Sequence, residues 1–277
     1  MAKVLRLAAF SDGETGGNPV GVYVDQTHPD DAEMQRLATE SGLPETVFAM
    51  PVAGGFRVRT FTPVAEVGFR GDATIALGAV LAMREGDGLF ALTLNDGRIF
   101  VEGRSEGEGY AASLQSGPTK SGAAPGPLVE AVLEIFDFGK VDLHPRIPAA
   151  RANAGDDYLL IGLANREALV ARAYGLAACR MLMSAAGLAA VILAWPENLR
   201  RFHTRNPFTS AAQFEDPATA AAAAALGGRL RDLKWPHGGS IEIVHGEESG
   251  HSALIRADIG EEKGSPIRIS GQARFID

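Results

Sequence analysis

The chain contains a single cysteine, Cys179, in 277 residues, which excludes an intrachain disulfide framework and any multi-cysteine metal site and fits a reducing compartment. Its setting, Ala177-Ala178-Cys179, has no histidine nearby and predicts a small buried side chain rather than a nucleophile. No glycine-rich dinucleotide or phosphate loop occurs, so the reading of a redox enzyme with a nucleotide cofactor lacks its defining element. The formal charge is −8, and no basic stripe interleaved with aromatics appears, which argues against a nucleic-acid partner. Long apolar runs are missing as well. Leu5 to Phe10 is too short for a signal peptide, and the uncharged run Met181 to Pro196 falls below membrane-span length and contains Ser184 and Gly187. The expectation is a cytoplasmic protein with no membrane partner.

What is present is the composition of a globular protein, 46% hydrophobic and 22% charged, with length enough for about two domains. A short phrase occurs twice, Gly71-Asp72-Ala73-Thr74-Ile75-Ala76 and Asp216-Pro217-Ala218-Thr219-Ala220-Ala221. Each opens a helical stretch without charge, Ala73 to Met83 and Pro217 to Gly228, where a surface helix would show a polar face. Each is also preceded by a Pro that closes a strand, in Thr60-Phe61-Thr62-Pro63 and Thr204-Arg205-Asn206-Pro207. The pattern predicts a duplicated fold with two enclosed helices. Their N-termini, with partial positive charge and free N–H groups, are expected to face each other across a cleft. The run Ala220 to Ala225 suits a helix that a curled sheet must approach closely.

In the first half, Val4 to Phe10, Val20 to Val24, Thr46 to Met50, Phe56 to Phe61, Leu89 to Leu94 and Ile99 to Val101 read as strands. One surface helix is expected over Asp31 to Glu40. This is not the alternation of a doubly wound parallel sheet. Residues Ser116 to Pro127 are rich in Gly, Pro, Ser and Ala and read as the linker, which divides the chain into halves 1–117 and 118–277. In the second half, Pro127 to Phe136 and Arg166 to Tyr174 read as amphipathic helices. Asp157 to Leu163, Ala190 to Trp195, Ser240 to Val244, Ala253 to Ala257 and Ile267 to Ile269 read as strands. The expected fold class is α+β, two pseudo-symmetric domains, each a curled, mostly antiparallel sheet around a central apolar helix.

Several residues could carry chemistry. Glu45 sits between a helix-stopping Pro44 and the apolar strand Val47-Phe48. A carboxyl there is either a partly desolvated acid/base or a structural strand-start residue. Asp216 before Pro217 fits a helix cap, and Asp72 is open to the same reading through the N–H groups of Thr74 or Ile75. Gly16-Gly17-Asn18-Pro19 is either a hairpin turn or a place where backbone N–H groups approach a ligand. His245 and His251, around Glu247 and Glu248, match no zinc spacing, so no metal is expected. His203 is expected on a strand, facing solvent or the other domain.

Together, these residues resemble the phenazine-biosynthesis isomerase family (PhzF-like), which shares the diaminopimelate epimerase fold. The resemblance runs nearly end to end. It rests on Gly17-Asn18-Pro19, Glu45-Thr46-Val47-Phe48, Phe61-Thr62-Pro63-Val64-Ala65-Glu66-Val67 and Glu215-Asp216-Pro217-Ala218-Thr219, in that order. It implies a cofactor-free isomerase or epimerase. In it, Glu45 removes a proton from carbon in a small carboxylic acid and returns it elsewhere on the same molecule, in the inter-domain cleft. Asp216 is implied as its catalytic partner and Asp72 as a third catalytic residue that orients the substrate. Gly17, Asn18, Gly71, Ala73, Thr74, Thr219, Ala220 and Ala221 are implied to line the substrate, and a homodimer is suggested.

The chain departs from the family pattern at three places. Gly71-Asp72-Ala73-Thr74 stands where Gly-His-x-Thr is expected, Thr219-Ala220-Ala221-Ala222 where Thr-Gly-Ser-Ala is expected, and Gly250-His251-Ser252-Ala253 where Gly-Arg-Pro-Ser is expected. An anionic Asp does not donate a hydrogen bond as imidazole does. The departures leave two alternatives: an enzyme whose substrate carries a cationic group toward Asp72, or a non-catalytic binding protein that keeps the fold.

Overall fold

A computed structural model describes residues 3–170, 175–207, 220–247 and 252–277. The chain forms two compact units, Met1–Gln115 with Ser270–Asp277, and Ser116–Ile269. The C-terminal residues thus return to the first unit, whereas a division at residue 117 leaves them in the second.

The first unit contains β1 (Leu5–Ser11), β2 (Asn18–Val24), α1 (Asp31–Ser41), β3 (Glu45–Val52), β4 (Gly55–Phe61), the two-residue β5 (Glu66–Val67), α2 (Gly71–Glu85), β6 (Gly88–Thr93), β7 (Arg98–Glu106) and β8 (Gly109–Gln115). Its sheet runs β1-β2-β3-β4-β6-β7-β8, and the last strand, β16 (Arg268–Phe275), lies beside β8 and also pairs with β1. The sheet therefore closes on itself, which removes its edges. Pairing is antiparallel except at β2/β3 and β4/β6.

Helix α2 runs through this closed sheet, as its lack of charge predicts. Asp72 to Ala82 are all buried. Ile75, Leu77, Val80 and Leu81 have no exposed surface, and burial of each contributes roughly 1.5–3 kcal/mol. Two glycines make the fit possible. A Cβ on Gly103 of β7 would lie 2.2 Å from the Gly78 carbonyl oxygen, and one on Gly78 would lie 2.6 Å from Val101. Helix α1 covers the opposite face of β3 and β4, where Met34 and Ala38 pack on Tyr23, Phe48 and Phe61. It is capped by Asp30, whose carboxylate accepts from the Glu33 N–H, and it stops at Gly42 with φ 66°.

The second unit contains β9 (Lys120–Ala123), α3 (Gly126–Ile135), β10 (Ala150–Asn153), β11 (Asp157–Gly162), α4 (Arg166–Val170), α5 (Leu176–Ala186), β12 (Ala190–Pro196), β13 (Arg201–Arg205), α6 (Ala220–Asp232), β14 (Ser240–His245) and β15 (Ala253–Asp258). Its strands run β15-β14-β13-β12-β11-β10-β9, with parallel pairs at β11/β12 and β13/β14. The stretch read as a linker holds β9 and the start of α3. It shows no apolar period because β9 is largely exposed.

Helix α6 takes the buried place that α2 takes in the first unit, with Ala222 to Gly228 enclosed. A Cβ on Gly228 would lie 2.7 Å from Thr119, so this helix also approaches its surroundings closely. On the other face of β11 and β12, Val132 of α3, Phe136 just past its end, and Cys179 and Met183 of α5 pack against Leu159, Ile161, Val191 and Leu193. Strands covered on both sides are apolar throughout, which explains why β11 and β12 show no alternation. Helix α5 lies partly within the uncharged run Met181 to Pro196 and was not read as a helix from sequence. Cys179 is fully buried.

His203 corrects an expectation. It lies on β13 but does not face solvent. It is buried, with Nδ1 2.5 Å from Glu247 Oε2 and Nε2 2.9 Å from Glu197 Oε2, and its ring lies 5.0 Å from that of Trp195.

Candidate active site

The side chains that converge in the first unit stand at the N-terminal end of α2. In the parallel pair β2/β3, Val20 registers with Glu45, and side chains alternate between faces. Asn18 and Glu45 therefore project to the same face, toward α2, while Thr46 and Phe48 project toward α1. Both polar residues are buried, Asn18 at 3% and Glu45 at 4% exposure.

Helix α2 starts at Gly71, with Arg70 in extended backbone as its cap residue and no side-chain cap. Asp72 is therefore inside the first turn rather than at the cap. Its Oδ1 accepts from the N–H of Ala73 at 2.9 Å, and its Oδ2 accepts from the side-chain amide of Asn18. Thr74 donates both its N–H, at 3.0 Å, and its hydroxyl, at 2.7 Å, to the Arg70 carbonyl. The N–H groups of Ala73 and Thr74, expected to be free at the helix N-terminus, thus already have partners inside the unit.

The third member of this cluster is one that sequence reasoning missed. The guanidinium of Arg70 forms an ion pair with Glu45 through Nε and Oε1, the arginine side chain 29% exposed and the glutamate side chain 4%. The only available cue was a single cation in Gly68-Phe69-Arg70-Gly71, just ahead of an uncharged run. Two buried carboxylates, one guanidinium and the positive end of a helix dipole thus share one corner of the unit. Burial penalises the carboxylates, and the cation and dipole offset that penalty.

The remaining site residues divide between structure and the undescribed part of the chain. Gly17 has φ +86° in the turn between β1 and β2, and a Cβ there would lie 2.9 Å from the Ala9 carbonyl oxygen, so the hairpin itself requires glycine. Glu66 of the family-like motif accepts twice from Arg59, at 2.8 and 2.7 Å, and once from Asn95. That pairing holds its carboxyl below the usual glutamate range. Asp216 and Thr219 lie outside the described residues, while Ala220 opens α6.

At the same end of α6, Thr204, Asn206 and His245 are buried. They line a small pocket with Ala222 and Ala223, and Thr204 Oγ1 lies 2.8 Å from His245 Nδ1. His245 had been weighed from sequence only as a metal ligand beside His251, which lies outside the described residues. Among the described residues, no group of three or more His, Cys, Asp or Glu side chains is placed to hold a metal.

A curled sheet around an apolar helix, made twice, with buried carboxylates at one helix N-terminus, defines an epimerase-type fold with an enclosed polar site. Residues 7–276 match the family model for phenazine biosynthesis-like proteins, PhzC-PhzF, and the chain belongs to that family. It is 31% identical to an uncharacterized isomerase of Mesorhizobium japonicum, over 95% of this chain and 93% of that one. It is 30% identical to the trans-2,3-dihydro-3-hydroxyanthranilate isomerase of Pseudomonas aeruginosa, over 98% and 96%. Among solved structures, the PhzF-family protein of Bacillus anthracis superposes with TM-score 0.85 at 18% identity, covering 99% of this chain and 96% of that one. A hydroxyproline epimerase of Agrobacterium vitis shares the fold at TM-score 0.62 and 10% identity, covering 100% and 91%. The Mesorhizobium and Pseudomonas relatives are both named as isomerases. No helix among the described residues is long and apolar enough to cross a membrane.

Proposed function

We propose that this protein is a cofactor-independent isomerase or epimerase of a small carboxylic acid, with Glu45 as the general base and acid. The observation that carries the reading is the placement of Glu45. Its carboxylate is 4% exposed, on the face of β3 turned toward α2 and paired with Arg70. A surface ion pair would have argued for a structural glutamate. A buried carboxyl paired with a cation is instead the setting in which a carboxylate is able to remove a proton from carbon.

In the proposed reaction, Glu45 takes a C–H proton next to an electron-withdrawing group, and the electron pair of that bond moves into the substrate as an enolate-like anion. The proton then returns to another face or another carbon, which leaves the molecular formula unchanged. Asp216 acts as partner carboxyl and Asp72 orients the substrate. Two carboxyls that act on one substrate need different proton affinities to divide the acid and base roles. Gly17, Asn18, Gly71, Ala73, Thr74, Thr219, Ala220 and Ala221 are proposed to line the substrate, and the protein is proposed to work as a cytoplasmic homodimer.

One feature favours the non-catalytic alternative. The Ala73 N–H is bonded by the side chain of Asp72, so a donor at the helix N-terminus is already occupied. Solvent-deuterium incorporation into a panel of amino and hydroxy carboxylic acids, followed by mass spectrometry, separates the two readings. Exchange by the wild type that falls at least about 100-fold in Glu45→Gln supports the enzyme. A compound that binds without exchanging deuterium supports the binding protein.

A further inference from the structure

We propose that Arg70 is the positioning residue of Glu45: its guanidinium keeps the carboxylate ionised and fixes its orientation on the α2-facing side of β3. The inference rests on the reading of Glu45 as the base, and it concerns the state in which that base waits for substrate.

The environment of Glu45 pulls in two directions. Burial favours its neutral form, and Asp72, a second carboxylate at the same helix start, disfavours a further negative charge. A neutral carboxyl cannot accept a proton from carbon. Against this stand the N-terminal dipole of α2 and the Arg70 guanidinium in direct contact with Glu45. A contact ion pair acts strongly here because charge interaction falls with separation and strengthens where water is excluded.

The residues that flank Glu45 on that face of β2 and β4 carry no charge. On β2 they are Asn18 and Val20, and on β4 the residue is Thr60, which registers with Val47. Arg57 and Arg59 belong to the opposite face of β4, where Arg57 bonds Asn95 and Arg59 holds Glu66 and Asp31. Arg70 is the cation in ion-pair contact with Glu45.

Its location suits the role. Arg70 is the cap residue of α2, in extended backbone, so its side chain starts beside the helix N-terminus. A planar guanidinium is able to set the plane of a carboxylate it meets, which the round ammonium of a lysine is not.

The test reads Glu45 directly. Protein carrying carboxyl-13C glutamate is titrated by NMR, with the Glu45 signal identified by its loss in E45Q. It is compared among wild type, R70M, R70K and R70Q, so that a folding failure of one variant leaves the others to decide. The expected result is a Glu45 midpoint raised by about one to three pH units in R70M and R70Q and near the wild-type value in R70K. Where the wild type exchanges deuterium into a substrate, the acid limb of its pH–rate profile should move up by the same amount in R70M. Its kcat should fall with little change in KM, and R70K should recover only part of the rate because orientation is lost.

A Glu45 midpoint that does not move in R70M and R70Q overturns the proposal, even if stability falls. A rise in KM with kcat unchanged also overturns it, by making Arg70 a substrate-binding group. A midpoint that shifts in a protein that exchanges no compound leaves Arg70 as the group that ionises Glu45 and refutes the enzymatic reading alone.

Discussion

Asn18, the first residue of β2, donates its side-chain amide to Asp72 in the first turn of α2, and neither side chain reaches solvent. The bond ties the wall of the first unit to the helix it encloses, across 54 residues of sequence. It also explains how an aspartate is accommodated at a buried helix start: one oxygen is held by the Ala73 N–H and the other by an amide.

Asn18→Ala removes that amide from a buried carboxylate. The expected cost is about 1–3 kcal/mol, because the lost partner served a group that water cannot reach. The urea midpoint of the variant should fall accordingly, and Asp72→Asn, which keeps a polar group of the same shape, should cost less. An Asn18→Ala midpoint equal to that of the wild type would mean that the bond contributes nothing net.

Glu66 predicts a pH dependence of stability. Its carboxyl is held below the usual value of 4.5, chiefly by hydrogen bonds from Arg59. A group depressed in the folded state contributes fully above its unfolded value and loses that contribution as the pH falls through the folded one. Glu66→Gln should therefore destabilise by about 1 kcal/mol at pH 7, a figure already discounted for partial exposure. The gap between variant and wild type should shrink as the pH falls below 4.5. Thermal melts of both proteins at stepped pH check this, and a gap that stays constant into acid would assign the effect to packing.

Gly103 is required by proximity rather than by backbone conformation. A methyl group there would lie 2.2 Å from the Gly78 carbonyl oxygen, and backbone cannot swing aside as a flexible side chain can. Gly103→Ala is expected to cost about 2 kcal/mol or more. Gly122→Ala, where a Cβ meets nothing within 4 Å, should stay within about 0.5 kcal/mol of wild type. Equal midpoints for the two variants would show that α2 and β7 can separate without penalty.

Both central helices were legible because their signal is an absence. A helix without a charged residue over Ala73 to Met83 has no face to show to water, so enclosure follows from composition. Most strands were legible through β-branched and aromatic runs. β8 was missed for the reason that it packs well: Ala111 and Ala112 are fully buried, where α2 comes close enough to exclude larger side chains. The same small residues erase the pattern by which strands are recognised. α5 was missed because its buried Cys179 and Met183 sit in a stretch that is apolar on into β12, which hides the helical period.

At the site, Glu45 and Asp72 were named from sequence through motif order, and Arg70 was not named at all. Motif order marks which positions a family shares, and a cation next to a shared motif has no spacing that announces its partner. Glu45 and Arg70 are 25 positions apart in the chain, and only the β2/β3 register and the start of α2 bring them together. His203 was expected on a strand and lies on β13, but alternation along the strand does not reveal the two glutamates that pair with it.

By itself, the sequence determined the duplicated plan, the two enclosed helices, the α+β class and the family to which the chain belongs. These depend on hydrophobic periodicity and short motifs, which are local in the chain. The tertiary structure alone decided which charges meet: Arg70 with Glu45, Asn18 with Asp72, and His203 with Glu197 and Glu247. It also decided that the last strand closes the first sheet. Such pairings are set by strand register and helix placement, and the energy of a buried charge depends on distance and solvent exposure, neither of which is written in the order of residues.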